Sequence, residues 1–393
     1  MGDTWSIQRF RLLLIIVVLT GLTQGLLLPL QAMLLEQRGV SSSMNGLNAA
    51  ALYFGILVIT PFCSRLVRRW GYRDMILIGL GSTAVCTLLL PIFTSFFAWT
   101  ILRFLIGMGD SLLHYASQLW VTTTSPEDRR GRHISQYGLS YGIGFGLGPL
   151  GLNLLIWGEA VPFIIMGSLL AVFLVPILFL QRDSRQVGST QNHRLSARLP
   201  KVYRWGLVAL CPPLIYGFLE ATLAGSFPVY GAREGLTTEW ISGLLMAFVY
   251  GGLLFQIPLG LLSDRIGRKR VLIMACLSGA VGMAFIPMSL STPYVTLLLF
   301  ITTGGVLGSL YSLGLAYLAD LLPKSYLPEA NIAASLHFGV GSMVGPYIGG
   351  VFIQYVGGGS LFFFTTGLLL AFVLLAGIYQ PEIATDKKIK RVR

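Results

Sequence analysis

A small set of side chains in this chain could do chemistry in surroundings that ought to exclude them. Asp110, His114, Glu220 and Arg103 stand inside stretches otherwise built of Leu, Ile, Val, Phe and Gly. A charge near the centre of a bilayer costs at least ~3 kcal/mol on insertion scales, so such residues normally face a cavity or a partner. His114 follows Asp110 by four residues, which puts both on one helix face. A carboxylate beside an imidazole can share or pass a proton, and Gln118, four residues further, extends the polar stripe. The plainer alternative is a structural hydrogen bond that holds this helix against a neighbour. Glu220 can be a proton site, a counter-charge for a cationic substrate, or a partner for Arg103. Arg103 lies two helical turns from Asp110, too far for a direct pair within one helix.

The elements that position these residues follow from composition. The sequence is 54% hydrophobic and 11% charged, against about a quarter charged in a soluble domain. Runs such as Leu12 to Thr20, Met75 to Phe96, Phe163 to Leu180 and Leu361 to Tyr379 carry no charge, and several approach the ~20 residues that cross a bilayer as a helix. Apolar segmentation predicts spans near 12–35, 44–66, 74–94, 97–121, 134–157, 160–181, 205–231, 240–263, 270–291, 294–320, 330–355 and 359–380. The first run has no small-residue cleavage pattern and is expected to be a retained span. Asp110 then falls about thirteen residues into the fourth span and Glu220 about fifteen into the seventh, roughly 20 and 22 Å along and near the midplane.

The net charge of +12 is not a nucleic-acid signature, because of where it sits. Nearly all Lys and Arg fall in alternate connections on one side; the exceptions are Arg38 and Arg233 on the other side and Arg103 within a span. By the positive-inside rule both termini are cytoplasmic and the number of spans is even. Cys63, Cys86, Cys211 and Cys276 have no paired spacing and read as buried apolar thiols.

The chain repeats itself. At a shift of 196 or 197, Gly39 falls on Gly235, Gly71 on Gly267, Gly107 on Gly304, Gly144 on Gly341, and Gly148-Pro149 on Gly345-Pro346. A common register across these matches indicates an internal duplication, as in transporters built from two pseudo-symmetric halves. The organisation expected is a six-helix bundle over 1–181, a cytoplasmic linker over 182–204, a second bundle over 205–381 and a basic tail over 382–393. In this alignment Glu220 falls on Gln24, so one half carries an ionisable group where the other carries its neutral analogue.

The segment Gly260-Leu-Leu-Ser-Asp264-Arg265-Ile-Gly267-Arg268-Lys269-Arg270 resembles the loop motif of the major facilitator superfamily. In that family a glycine allows close helix packing, and an acid with the following basic residues forms a charge cluster at the helix ends. The matching loop of the first half keeps Gly71 and Arg73 but has Arg68 where the pattern has an acid. Either the charged latch is missing there, or Asp74 or Asp128 substitutes for it. Arg103-Phe-Leu-Ile-Gly107-Met-Gly109 resembles the superfamily's Arg-then-Gly motif, whose arginine is linked to proton movement. Gly144-Phe-Gly-Leu-Gly148-Pro149-Leu-Gly151 is similar to the motif of drug/proton antiporter-type exporters; as a physical device, such glycines permit tight packing and the proline bends the segment.

The resemblance implies an all-α membrane protein of 12 transmembrane helices in two pseudo-symmetric six-helix bundles. It implies that the first, fourth, seventh and tenth spans line a central cavity, so that Asp110 and Glu220 share one aqueous path. Gln24, Tyr115, Gln118, Tyr137, Tyr141, Tyr216, Tyr250 and Tyr311 are candidate substrate contacts, suited to an amphipathic or cationic compound through apolar and cation-π contact. His337 reads as a packing residue. No Gly-Lys-Ser/Thr phosphate loop occurs in the sequence, and no nucleophile or metal constellation beyond Asp110 and His114 suggests an enzyme. The reading is therefore a monomeric secondary transporter of a bacterial cytoplasmic (inner) membrane, needing no cofactor and exchanging protons for a small organic substrate. A lipid or lysolipid flippase of the same fold, or a transport-inactive sensor or assembly partner, are the alternatives.

Overall fold

The computed structural model describes residues 7–180 and 192–379, with side chains from 199 onward in the second stretch. The first helices are α1 (Ile7–Gln37), α2 (Ser42–Leu89), α3 (Phe96–Thr124) and α4 (Arg130–Leu147), the last continued by a 3-10 stretch Gly148–Trp157. After α5 (Val161–Val172) and α6 (Leu174–Leu178) come α7 (Asn192–Arg233), α8 (Thr238–Ile266) and α9 (Arg268–Ser289). The remainder is α10 (Pro293–Leu307), α11 (Leu310–Leu321), α12 (Leu327–Tyr355) and α13 (Ser360–Ile378). Among the described residues, 11 helical segments are long and apolar enough to cross a bilayer. One of them, α2, is two spans joined at Gly71, whose φ of 82° breaks the helix; with that division the twelve expected spans are present. Only glycine adopts such a φ without strain. The corresponding Gly267, with φ 96°, separates α8 from α9.

Three of the expected spans are not uniform α-helix: the sixth divides into α5 and α6, the tenth into α10 and α11, and the fifth changes helix type. Past Gly148 the fifth span tightens into its 3-10 stretch, with Pro149 in the first turn where its missing N–H costs nothing. The repeat-related Pro346 stays inside a continuous α12. The expected linker lies outside the described residues only as far as 191, because α7 already begins at Asn192, ahead of the apolar run, and the expected tail over 382–393 lies wholly outside them.

The chain divides into two compact units: Met1–Gly188 together with Ala224–Met246, and Ser189–Leu223 together with Ala247–Arg393. Within each, the duplication is visible in the packing of its glycines. A Cβ on Gly21 would strike the carbonyl of Tyr141, and one on Gly217 the carbonyl of Phe338. Gly144 likewise abuts the Val18 carbonyl and Gly341 that of Leu214; Gly107 abuts Leu52 and Gly304 abuts Phe248. Every one of these pairs is related by the same shift of 196 or 197 read from the sequence. Helices in lipid gain little from hydrophobic driving force, so close backbone approach through small residues carries the association.

Candidate transport and coupling site

In the first unit α3 is the axis of the site. Asp110, 3% exposed, accepts a hydrogen bond at Oδ1 from the Thr83 hydroxyl on α2, at 3.5 Å. His114 faces elsewhere: its Nδ1 lies 3.0 Å from the Tyr137 hydroxyl and its Nε2 3.5 Å from Thr20 Oγ1. The two residues thus share a helix face without bonding to each other. Four residues turn a helix by about 400°, leaving an offset of about 40°, and each side chain has found its partner on a different neighbouring helix. The polar stripe continues through Ser117, whose hydroxyl lies 2.8 Å from that of Tyr137, whereas Gln118 is exposed. Tyr141 donates to Gln24 Oε1 on α1 and sets its ring edge-on to His114, centroids 5.2 Å apart. Tyr137 is buried and committed to this network, while Tyr115 is partly buried against the apolar core.

Arg103 is 1% exposed. Its guanidinium donates to Asn48 Oδ1 at 2.5 Å and to the carbonyls of Leu27 and Leu28 at 3.1 and 3.2 Å. Both carbonyls lie on α1 next to Pro29, and each can accept a second bond from a side chain because a carbonyl oxygen has two lone pairs. Arg103, Asp110, Gln24, Thr23 and Gln31 line one small cavity between α1, α2 and α3.

In the second unit Glu220 on α7 is half-buried and accepts at Oε1 from the Tyr216 hydroxyl, at 3.4 Å. Phe338 on α12 is the hub of an aromatic cluster: its ring lies 6.0 Å from that of Tyr216 and 5.6 Å from that of Tyr311. Tyr311 in turn lies 3.2 Å from the Ser335 hydroxyl. The repeat relates Thr20 to Tyr216, Gln24 to Glu220, His114 to Tyr311 and Tyr141 to Phe338. Each unit therefore carries a polar and aromatic quartet at equivalent positions. Phe338 lacks the hydroxyl with which Tyr141 satisfies Gln24, and Tyr216 supplies it for Glu220 from one turn away. Tyr250 is half-buried on α8. His337 points its Nδ1 at the Ala333 carbonyl, 2.8 Å away, and stacks near Tyr203, a packing role.

The loop motifs differ between the units. Arg268 bonds Asp264 at 3.0 Å and Asp320, at the end of α11, at 2.9 Å; Arg268 rather than Arg265 takes both carboxylates. Gly260, expected as a close-packing residue, has nothing within 4 Å of a Cβ, whereas Gly148 packs directly on α1 at Gly25. In the first unit the equivalents of Arg268 and Asp320 are Tyr72 and Thr123, and their hydroxyls lie 3.4 Å apart. Tyr72 also stacks on Trp120, centroids 5.7 Å apart. A neutral aromatic contact thus stands at the place of the charged one; Asp128 pairs instead with its neighbour Arg129, at 3.3 Å. What both loops keep is a cation on the closing helix. Arg73 donates to the carbonyls of Ile177 and Leu178, and Lys269 to that of Tyr379 at 2.6 Å, satisfying C-terminal carbonyls that a helix leaves open.

At the opposite end from these loops, Arg233 of α7 bonds Glu36 of α1 at 2.7 Å and Ser42 Oγ at 2.8 Å. Arg38 bonds Glu159 at 2.9 Å and lies over the Trp99 ring.

Two repeat-related helical units, closely packed through glycine and carrying buried polar groups within their spans, define a polytopic carrier. The family model described as Major Facilitator Superfamily matches residues 13–251 and 214–393. The chain is 38% identical over 371 residues to the Uncharacterized MFS-type transporter YfkF of Bacillus subtilis (strain 168), covering 94% of both chains. It is 26% identical over 370 residues to the Uncharacterized MFS-type transporter YcaD of Salmonella enteritidis PT4, covering 93% of this chain and 94% of that one. Among solved structures, a mutant of the nucleoside transporter NupG superposes with a TM-score of 0.77 at 14% identity, covering 94% of this chain and 98% of that one. The chain belongs to the Major Facilitator Superfamily, and it is a multi-pass membrane transporter, not an enzyme.

Proposed function

We propose that this protein is a proton-coupled exporter that moves a small organic or amphipathic compound by alternating access, with proton exchange at Asp110 in one unit and Glu220 in the other. The observation that carries this reading is the pairing of both acids with neutral partners. Asp110 accepts from Thr83 and Glu220 from Tyr216, so either can take up or lose a proton without first breaking an ion pair. Intramembrane carboxyl groups of this kind mark proton and substrate paths, and midplane sites shared between repeats are the expectation for such folds. Tyr216, Tyr311 and Tyr141 supply aromatic surface for an amphipathic cargo. Export is supported by the Gly148-Pro149 motif of the fifth span. The boundaries proposed are those of two bundles, 1–181 and 205–381, with a cytoplasmic linker and tail, in a monomer of a bacterial inner membrane.

Proteoliposomes with an internal pH dye test the reading directly. Candidate amphipathic cations, lysolipids and a nucleoside, the last chosen from the cargo named for the similar solved structure, are added to wild type, Asp110→Asn and Glu220→Gln. A substrate-triggered pH change in wild type that disappears in either variant supports coupling through that carboxyl. Substrate movement in wild type with no pH change, or an unaltered response in both variants, overturns it.

A further inference from the structure

The loop of the first unit carries cations that its own chain does not neutralise. Residues 64–74 contain Arg65, Arg68, Arg69 and Arg73 but one acid, Asp74. Arg73 is engaged by helix carbonyls, whereas Arg65, Arg68 and Arg69 make no hydrogen bond or ion pair among the described residues. The equivalent loop of the second unit is built differently: Arg268 is held between Asp264 and Asp320, and Arg68 stands in the place of Asp264. Like charges one helical turn apart repel each other, so Arg65 and Arg69 gain from any anion that reaches them.

These two cations end an apolar stripe. Phe54, Val58 and Phe62 follow one another at four-residue spacing on α2, and all are exposed. Arg65 and Arg69, also exposed, continue the same helix face by steps of three and four. Trp70 comes next and is exposed as well, a residue type that anchors at the bilayer interface. The helix breaks one residue later, at Gly71. By the positive-inside rule this end of α2 faces the cytoplasmic leaflet, which holds the anionic lipids.

We propose that this face of α2 is a binding site for an anionic phospholipid, its phosphate held between Arg65 and Arg69 and its acyl chains laid along Phe62, Val58 and Phe54. The order along the helix, apolar and then doubly cationic, is the order of chain and headgroup in the lipid. Arg65 and Arg69 rise about 6 Å from one to the other, close enough for both to reach one phosphate, and the planar guanidinium suits phosphate oxygens. The stripe from Phe54 to Phe62 is about 12 Å long, enough to hold much of an acyl chain. A free phosphate ion would meet the arginines but leave this stripe uncovered, and a zwitterionic headgroup would bring a further cation to a place already rich in them. The lipid thus supplies from outside the chain the negative charge that the loop motif lacks at Arg68. The site is separate from Asp110 and Glu220 and does not depend on the proposed coupling.

The full-length protein in phosphatidylcholine vesicles tests this, with increasing fractions of phosphatidylglycerol or phosphatidylcholine carrying brominated acyl chains. Tryptophan fluorescence is the readout, and the difference between wild type and Trp70→Phe isolates the Trp70 signal. Trp70 is expected to be quenched at a lower fraction of the brominated phosphatidylglycerol than of the brominated phosphatidylcholine, by about fivefold for each arginine. Arg65→Gln/Arg69→Gln is expected to lose this preference and Arg65→Lys/Arg69→Lys to keep much of it, which separates charge from misfolding. Arg129→Gln/Arg132→Gln removes equal charge from the connection between α3 and α4 and is expected to keep the preference. Equal quenching by the two lipids overturns the site, and so does an equal loss in both glutamine variants, which would mark a general attraction to a basic surface. Inorganic phosphate is expected to leave the quenching unchanged; relief by phosphate would assign the arginines to a soluble anion instead. Quenching of Trp70 by neither lipid would place a protein contact over this face and also overturn the proposal.

Discussion

Arg103 shows how a residue can be fixed by neighbours that its own motif does not contain. A guanidinium this deep needs acceptors in the right fork geometry, and it finds them in Asn48 and the Leu27 and Leu28 carbonyls of α1. Asn48→Leu removes the shortest of these and leaves a buried charge partly unpaired. It is expected to lower stability by about 1–3 kcal/mol, read as a lower unfolding midpoint in detergent. Tyr141→Phe, which turns the Gln24 contact into the Phe338 arrangement of the other unit, is expected to cost less, about 0.5–1 kcal/mol, in keeping with hydrogen bonds measured inside membrane proteins. Equal losses in the two variants would contradict the ranking. The ionisable residues were legible in the sequence because each interrupts an apolar run. Asn48, Thr83 and Gln31 were not, because a neutral polar residue in a span carries no comparable penalty to advertise it. Phe338 was missed for the opposite reason: it looks like membrane core until the repeat aligns it with Tyr141.

Helices of this protein meet where glycine lets backbones touch, and the consequences are specific to the face. Gly341 abuts the Leu214 carbonyl, while Gly243 on α8 and Gly367 on α13 have nothing within 4 Å of a Cβ. Gly341→Ala is expected to destabilise by about 1–3 kcal/mol through overpacking. Gly243→Ala and Gly367→Ala are expected to be neutral or slightly stabilising, since a helix interior prefers alanine. Thermal unfolding of the three variants decides between a packing role and a generic glycine effect. The loop elements carry a different kind of energy. Asp264 and Asp320 are 59% and 52% exposed, and exposed pairs are worth at most about 1 kcal/mol. Asp320→Asn is therefore expected to change the transport rate and its salt dependence while leaving the unfolding midpoint nearly unmoved. Tyr72→Phe, at the uncharged equivalent, should change neither salt dependence nor charge balance. A large drop in stability for Asp320→Asn would mark the contact as structural. The loss of the acid at Arg68 was plain from the sequence, but its replacement was not, because Tyr72 and Thr123 meet only once α2 and α3 are folded together.

At the scale of the molecule, the duplication was the most legible feature. A constant shift in the sequence became the same glycine against the same backbone carbonyl in each unit. The sequence also isolated Arg38 and Arg233 as the cations on the less basic side, without saying what they hold. Both prove to be in ion pairs. The pair Arg233–Glu36 joins the end of α7 to the end of α1, and Ser42 at the start of α2 adds a further bond. The compact unit that contains the first helices also takes in Ala224–Met246, so this end of α7 belongs to the same unit as α1. In the proposed alternating-access cycle α1 and α7 would part at this end once per turnover, and the pair would then act as a latch on that opening. The side chains are 42% and 21% exposed, and a pair of that kind contributes about 1 kcal/mol or less, enough to shift an opening equilibrium up to about fivefold. Arg233→Glu sets two carboxylates against each other and Glu36→Arg sets two guanidinium groups, so each is expected to slow turnover by holding this end apart. The double variant restores opposite charges in exchanged positions and is expected to recover transport toward wild type in the same proteoliposomes. If the double variant is as impaired as the singles, the ends of α1 and α7 are held by packing around Ser42, and the ion pair is a bystander to the cycle.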